Sequence, residues 1–238
     1  MRNTIDSNFI LNRKIITEIR FDSNPMISDL KGAIINGIKA EKIIDPPKWK
    51  FGLGDVTINN SLKKEEIRST IYFDLHRLTY MSSIVPTNEV YTNKFNKLYK
   101  VFKEAVGKEN VSIKRIGCRV MGTYSTNEDS YDKILDKFLK VFPEQFLLDD
   151  FDANDMLFQL TYANGMYNIG PIKPDDTFLK SQFNYDDRNN SIGFAIDTDN
   201  YVSRKEDDKQ PIADSKIKDV ILASLSVEKF LFEKLNSL

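Results

Sequence analysis

From Ile15 to Phe21, inside the stretch FILNRKIITEIRF, apolar and polar positions alternate. Ile15, Thr17, Ile19 and Phe21 fall on one side, Ile16, Glu18 and Arg20 on the other. Successive strand side chains point to opposite faces, so this two-residue period predicts a β-strand with one buried face. After Asn24-Pro25 the period lengthens. Leu30, Ile34 and Ile38 lie along one side of a predicted helix, with Ser28 or Asp29 as its cap and Gly32 and Gly37 as its weak points. The prolines of DPPKW end it, because a proline disfavours helix in the residue before it. Two strands are expected next, one over WKFGLGDVTI and one over EIRSTIYFDLHRLTYMSSIV. In the second, Ile67, Ser69, Ile71, Phe73 and Leu75 share a face, with Arg68, Thr70, Tyr72, Asp74 and His76 on the other. The clearest helix runs from Asn88 to Val106. Tyr91, Phe95, Leu98, Phe102 and Ala105 form its single apolar stripe, and Gly107 closes it.

The same order of patterns then starts again. NVSIKRIGCRVMGTYS is strand-like. Asp129 to Phe142 is a predicted helix carrying Tyr131, Ile134, Leu135, Phe138, Val141 and Phe142, stopped by Pro143. DMLFQLTYANGMYNIGPI contains Asn164-Gly165, a favoured centre for a two-residue hairpin turn. SIGFAIDTDNY is the next strand, and a last helix opens at Asp214 or Ser215 and packs through Ile217, Val220, Ile221, Leu225, Phe230 and Leu231. Strands joined by hairpins pair antiparallel, and amphipathic helices need a sheet face to cover. The expectation is one α+β domain, 1–238: a mostly antiparallel sheet with helices packed on one face. It is expected to be a pseudo-repeat of two strand-helix-strand-strand-helix halves, 1–107 and 108–238, that share no convincing residue identity.

Composition narrows the function classes. A chain of 238 residues, 41% apolar, can bury roughly 70–75% of its unfolded surface without staples. Its 34 basic residues are balanced by 35 acidic ones. Binding to a phosphate backbone draws its affinity from counterion release and needs a basic excess, so an obligate nucleic-acid binder is disfavoured. Lys94, Lys97, Lys100 and Lys103 on the strong helix, with Lys114, Arg115 and Arg119 beyond it, are the only basic concentrations, and such faces are usually simply solvated. A single cysteine, Cys118, excludes an intramolecular disulfide and a multi-cysteine zinc site. The opening MRNTIDSNFILNRKI lacks the apolar core of a secretory signal, and no run of about 18 apolar residues occurs. A cytoplasmic location is expected, with no membrane partner.

The candidate chemistry centres on SIGFAIDTDNYVSRKEDD. Asp197 and Asp199 are two residues apart on a strand and so share a face with Gly193, Ala195 and Tyr201, while Ile192, Phe194 and Ile196 point to the core. Two carboxylates can hold a divalent cation together with waters and substrate phosphates. The plainer alternative is a strand running out of the core into a solvated loop. DDFDAND, Asp149 to Asp155, resembles a calcium loop, but Asp155 stands where the required glycine belongs and Thr161 where the bidentate glutamate belongs. His76, the one histidine, shares the predicted strand face of Asp74; a half-exposed sheet histidine is the favoured reading. No nucleophile elbow surrounds a serine, Cys118 has no local motif, and FGLGD is a lone G-x-G best taken as a strand bend. Phosphate-cradling loops are missing, so no nucleotide cofactor is implied.

Three segments carry a resemblance: Glu18-Ile19-Arg20-Phe21, the Tyr- and Phe-bearing helix leading into Arg115-Ile116-Gly117-Cys118-Arg119-Val120, and Asp197-Thr198-Asp199. Together they resemble a sporadically distributed family of uncharacterised bacterial proteins of about this length, with Val120 where that family carries an aromatic residue. The family brings no established activity, so the resemblance implies no catalytic role. Its patchy distribution implies mobile or phage-defence genes. The functional expectation is a non-catalytic interaction protein, an accessory or regulatory subunit with a protein partner, using Asp197, Asp199, Arg115 and Arg119 for contact, because carboxylates accept well from Arg or Lys. Two alternatives stand beside it: a metal-dependent hydrolase or nuclease using Asp197 and Asp199, and a small-ligand binder.

Overall fold

The computed structural model describes residues 5–83, 87–107, 110–140, 156–173, 176–183, 192–205, 207–208 and 210–237. The strands are β1 (Ile10–Phe21), β2 (Lys48–Phe51), β3 (Val56–Asn59), β4 (Ser69–Phe73), β5 (Arg77–Ser82), β6 (Ile113–Tyr124), β7 (Phe158–Tyr162), β8 (Gly165–Ile172) and β9 (Gly193–Ser203). Among the described residues they form one sheet in the order β2-β3-β4-β5-β1-β6-β9-β8-β7, every pairing antiparallel. The helices are α1 (Met26–Ala40), α2 (Asn88–Val106), α3 (Tyr131–Leu139), α4 (Thr177–Gln182) and α5 (Ser215–Asn236). The α+β expectation holds. Among the described residues no helix is long and apolar enough to cross a membrane.

Alternation decides which sheet face is covered. Ile15, Ile19, Ile71, Phe73, Leu78, Ile116 and Val120 form one buried layer with α1, α2 and α5, through Ile34, Ile38, Phe95, Leu98, Phe102 and Ile221. A second cluster joins Tyr124, Phe194 and Ile196 to Ile134 and Phe138 of α3 and to Phe232 of α5. Among the described residues the opposite face has one small apolar cluster, where Phe183, just after α4, packs on Met121 and Ile172. Outward from the β1–β6 seam, both halves place their last strand beside their first, β5 by β1 and β9 by β6, and then step through the hairpin strands. That parallel is one of element order, without a matching residue pattern.

A buried ionic link joins the halves. Arg13 on β1 donates through Nε to Glu228 Oε1 of α5 at 2.7 Å and through Nη2 to Asn88 Oδ1 of α2 at 2.9 Å, and Tyr124 donates to the same carboxylate. The side chains of Arg13 and Glu228 are 9% and 1% exposed. Opposed charges hold Arg13 fully protonated despite the cost of burial, and the Glu228 carboxylate helps to keep Tyr124 from ionising. Both charges stand on otherwise apolar stripes, Arg13 two residues before Ile15 and Glu228 between Leu225 and Phe232. A charge on a buried stripe was the available signal in the sequence.

Several local expectations are corrected. EIRSTIYFDLHRLTYMSSIV is not one strand but the β4–β5 hairpin, because Asp74 Oδ1 accepts from the backbone N–H of His76 and of Arg77 and folds the chain back. FGLGD is likewise the β2–β3 turn and not a bend, closed by Gly52 N–H to the Asp55 carbonyl at 3.0 Å. Helix α1 starts earlier than predicted, at Met26, whose N–H is accepted by the Asn24 side chain, rather than at Ser28 or Asp29. The β7–β8 turn is centred on Ala163-Asn164, one residue before the expected Asn164-Gly165, with Ala163 at positive φ. Gly165 lies inside β8, where a Cβ would stand 2.0 Å from Tyr167 Oη and push that side chain aside. Phe230 is 56% exposed, and Phe232 takes the core position expected of it.

Candidate functional site

The face opposite α1, α2 and α5, which few of the described residues cover, carries every sequence-predicted contact residue. Asp197 and Asp199 on β9 and Arg115 and Arg119 on β6 all point there, as their parity requires. The register places Arg119 opposite Asp199, but its guanidinium turns diagonally to Asp197, donating from Nε to Oδ1 at 2.8 Å and from an Nη to Oδ2 at 2.7 Å. This two-pronged geometry is the strong form of an ion pair. The side chain of Asp197 is 7% exposed and that of Arg119 42%. Asp197 is therefore neither the wet end of a strand nor an acid awaiting a cation from elsewhere. Its arginine comes from the neighbouring strand.

Asp199 differs. It is half-buried, makes no hydrogen bond among the described residues, and burial pushes its carboxyl above the usual range against the pull of Arg115 and Arg119. Arg115 folds over Gly117, where a Cβ would stand 3.8 Å from its guanidinium carbon, and lies 4.8 Å from the centre of the Tyr201 ring. Among the described residues no carboxylate forms an ion pair with it. Farther along the same face, Arg20 donates to Glu18 at 2.6 Å, and Arg77 donates to Asp74 at 2.9 Å and stacks over Tyr72 at 4.6 Å. Among the described residues the face is thus a row of guanidiniums held by acids and tyrosine rings, in which Arg115 and Asp199 attract one another without a hydrogen bond.

At its α4 end, Lys14 donates to the Gln182 carbonyl and lies over Phe183, and burial lowers its pKa. Beside it is a cavity of 430 Å³ bordered by Asp197, Asn168, Ala195, Ile172, Met156 and Thr177. The other residues raised by the sequence lie apart from this site. His76 is exposed in the β4–β5 turn, where only its backbone meets Asp74. Cys118 is buried on the helix side, 3.5 Å from the Thr17 hydroxyl, with its thiol pushed up to about 11 by burial. Lys97, Lys100 and Lys103 pair with Glu41, Glu104 and Asp214, and Lys114 with Asp22, leaving no continuous basic patch on α2. Residues 149–155 lie outside the described residues. Among those described, no three His, Cys, Asp or Glu side chains are grouped to hold a metal ion.

No family model matches the chain, and no curated protein is significantly similar to it.

Proposed function

We propose that this protein is a non-catalytic interaction protein, an accessory subunit that docks a partner on the open face of its sheet. One observation carries the reading. The face presents a pre-set array of ionic side chains in which Arg115 and Asp199 make no hydrogen bond or close salt bridge among the described residues and feel one another only at longer range, while Asp197 is already satisfied by Arg119. Fixed, half-desolvated charges of both signs supply specificity for a complementary protein surface. The same pairing speaks against the metal-dependent hydrolase or nuclease, because the carboxylate it would need is occupied by a guanidinium. A mobile-element or phage-defence setting rests on the family resemblance alone. The test is a photo-crosslinking residue placed at Thr79 or Tyr201 on the open face, and at Lys100 on the helix side, in native cells. A discrete protein adduct from the first two positions and none from the third is expected. Equal products from all three positions, or none, would reject the docking face.

A small-ligand reading has one observation in its favour. The 430 Å³ cavity beside Asp197 falls in the size range of small-molecule sites, with mostly apolar walls and four polar side chains, Asn168, Asp176, Thr177 and Asp197, at its border. Ala195→Leu would fill part of it. A metabolite-induced rise in Tm that this variant abolishes would favour a ligand site over a docking face.

A further inference from the structure

The two ends of the sheet are guarded differently. An edge strand offers unpaired backbone groups to any other strand, and charged side chains, lysine above all, discourage that pairing. At one end β2 carries Lys48 and Lys50. At the other, Met156 to Ile172, the stretch that holds the β7–β8 hairpin, contains no Asp, Glu, Lys, Arg or His in a chain that is 29% charged. β7 itself, FQLTY, also lacks Pro and Gly. Its apolar side chains are only partly covered. Phe158, Leu160 and Tyr162 share the helix-side face, where Phe138 of α3 stacks on Phe158 at 6.2 Å between ring centres but Leu160 stays 45% and Tyr162 78% exposed.

We propose that β7 is the contact through which two copies of this chain join, pairing antiparallel about Leu160 into one continuous sheet. The contact uses the end of the sheet and not its open face, so it stands apart from the docking reading. The hairpin sets the register. Tyr162 and Gly165 enclose a two-residue turn and are therefore a hydrogen-bonded pair. The alternation of an antiparallel ladder then turns the backbone N–H and C=O of Gln159 and Thr161 outward. Among the described residues nothing bonds those outward groups. With Leu160 on the two-fold axis, Gln159 of each copy exchanges both bonds with Thr161 of the other. Leu160 then meets its own counterpart as a non-bonded pair, with Cα atoms about 4.5 Å apart, and Phe158 faces Tyr162. No charge opposes any of these pairs.

The helices leave room for this contact. α3 lies over β8 and β9, and the two β8 strands would be three strand spacings, about 14 Å, apart. A helix with its side chains is about 10–12 Å across, so the two α3 helices fit side by side with Leu160 and Tyr162 between them. The assembly closes at two, because the contact consumes both β7 edges and a β2–β2 contact would crowd like-charged lysines together. Five residues a side is far below the roughly 20–30 of a standard interface, so a dissociation constant of about micromolar order is expected.

The test is sedimentation velocity on the full chain from about 1 to 100 μM, a range that brackets such a constant. A monomer–dimer equilibrium is expected. Leu160→Lys and Leu160→Glu each set like charges against one another on the axis and are each expected to weaken the dimer at least about tenfold. An equimolar mixture of the two variants is expected to restore it. Phe51→Lys, at the β2 edge, should leave it unchanged. Circular dichroism confirms that each variant folds, and recovery on mixing separates lost contact from lost structure. A chain that stays monomeric over the whole range, or species that grow beyond the dimer, overturns the proposal. So does a dimer indifferent to both Leu160 variants, a mixture that does not recover, or a dimer lost in Phe51→Lys.

Discussion

Asp199 shows what burying a carboxylate costs. Burial raises its pKa, so folding at neutral pH works against its charged form. An acid whose folded pKa is raised contributes stability below its unfolded pKa and loses that contribution as pH rises through the folded value. Asp199→Asn should therefore stabilise the protein at pH 7, by about 1 kcal/mol or less because the group is half-exposed and screened by water. The gain should close at acid pH, where both states are protonated. Urea melts of both proteins at pH 7 and pH 3 read it, and a destabilised Asn variant at pH 7 would sink the account. Cys118 follows the same sign on the alkaline side. With its thiol pushed from 9.0 to about 11, stability should decline across that interval by at most about 3 kcal/mol, two pKa units' worth. Cys118→Ala should lose less stability than the parent between pH 9 and pH 11. Identical slopes would show that the thiol is not the cause.

At the scale of elements, β1, α2 and α5 are fastened by Arg13, Asn88 and Glu228 rather than by apolar packing alone. Removing one partner of a buried pair strands the other charge, so Glu228→Leu or Arg13→Met alone should cost about 3–5 kcal/mol. The double variant should recover most of that loss, because two well-packed apolar chains replace a desolvated pair at little net cost. Thermal melts of the four proteins form the cycle, and additive losses would mean that the pair does not interact. The elements themselves were unevenly legible. Helix α2 matches the sequence end to end because its single stripe is bounded by the Thr87 cap and Gly107 at positive φ. The β4–β5 hairpin was overlooked although its mark was present: the apolar phase slips from odd positions, Ile71 and Phe73, to even ones, Leu78 and Tyr80, across Asp74. Parity pairs Asp197 with Asp199 and Arg115 with Arg119, but only the β6–β9 register puts both pairs on one sheet face. The Arg119–Asp197 pair was not legible, because it depends on which distant strands are neighbours and in what register.

For the whole molecule, the β1–β6 seam is the junction on which both halves depend. Across it Thr17 Oγ1 lies 3.5 Å from Cys118 Sγ, Tyr91 of the first half donates to Thr17 at 2.9 Å, and Ser224 of the second donates to the Cys118 carbonyl at 2.7 Å. The open face straddles the same seam, since its row of facing arginines takes Arg77 and Arg20 from one half and Arg115 from the other. Separating the halves would leave β1 and β6 as long apolar edges and Arg13 and Glu228 without each other. Such edges recruit other chains, and unpaired buried charges are costly. Fragments 1–107 and 108–238, expressed singly, should therefore lack a cooperative unfolding transition. Mixed from denaturant at equal concentration, they should regain one together with the native fluorescence of Trp49, the only tryptophan. A cooperative transition in either fragment alone would make the halves independent domains. Complementation would instead show that the arginine row, which takes residues from both halves, forms only when the seam between β1 and β6 does.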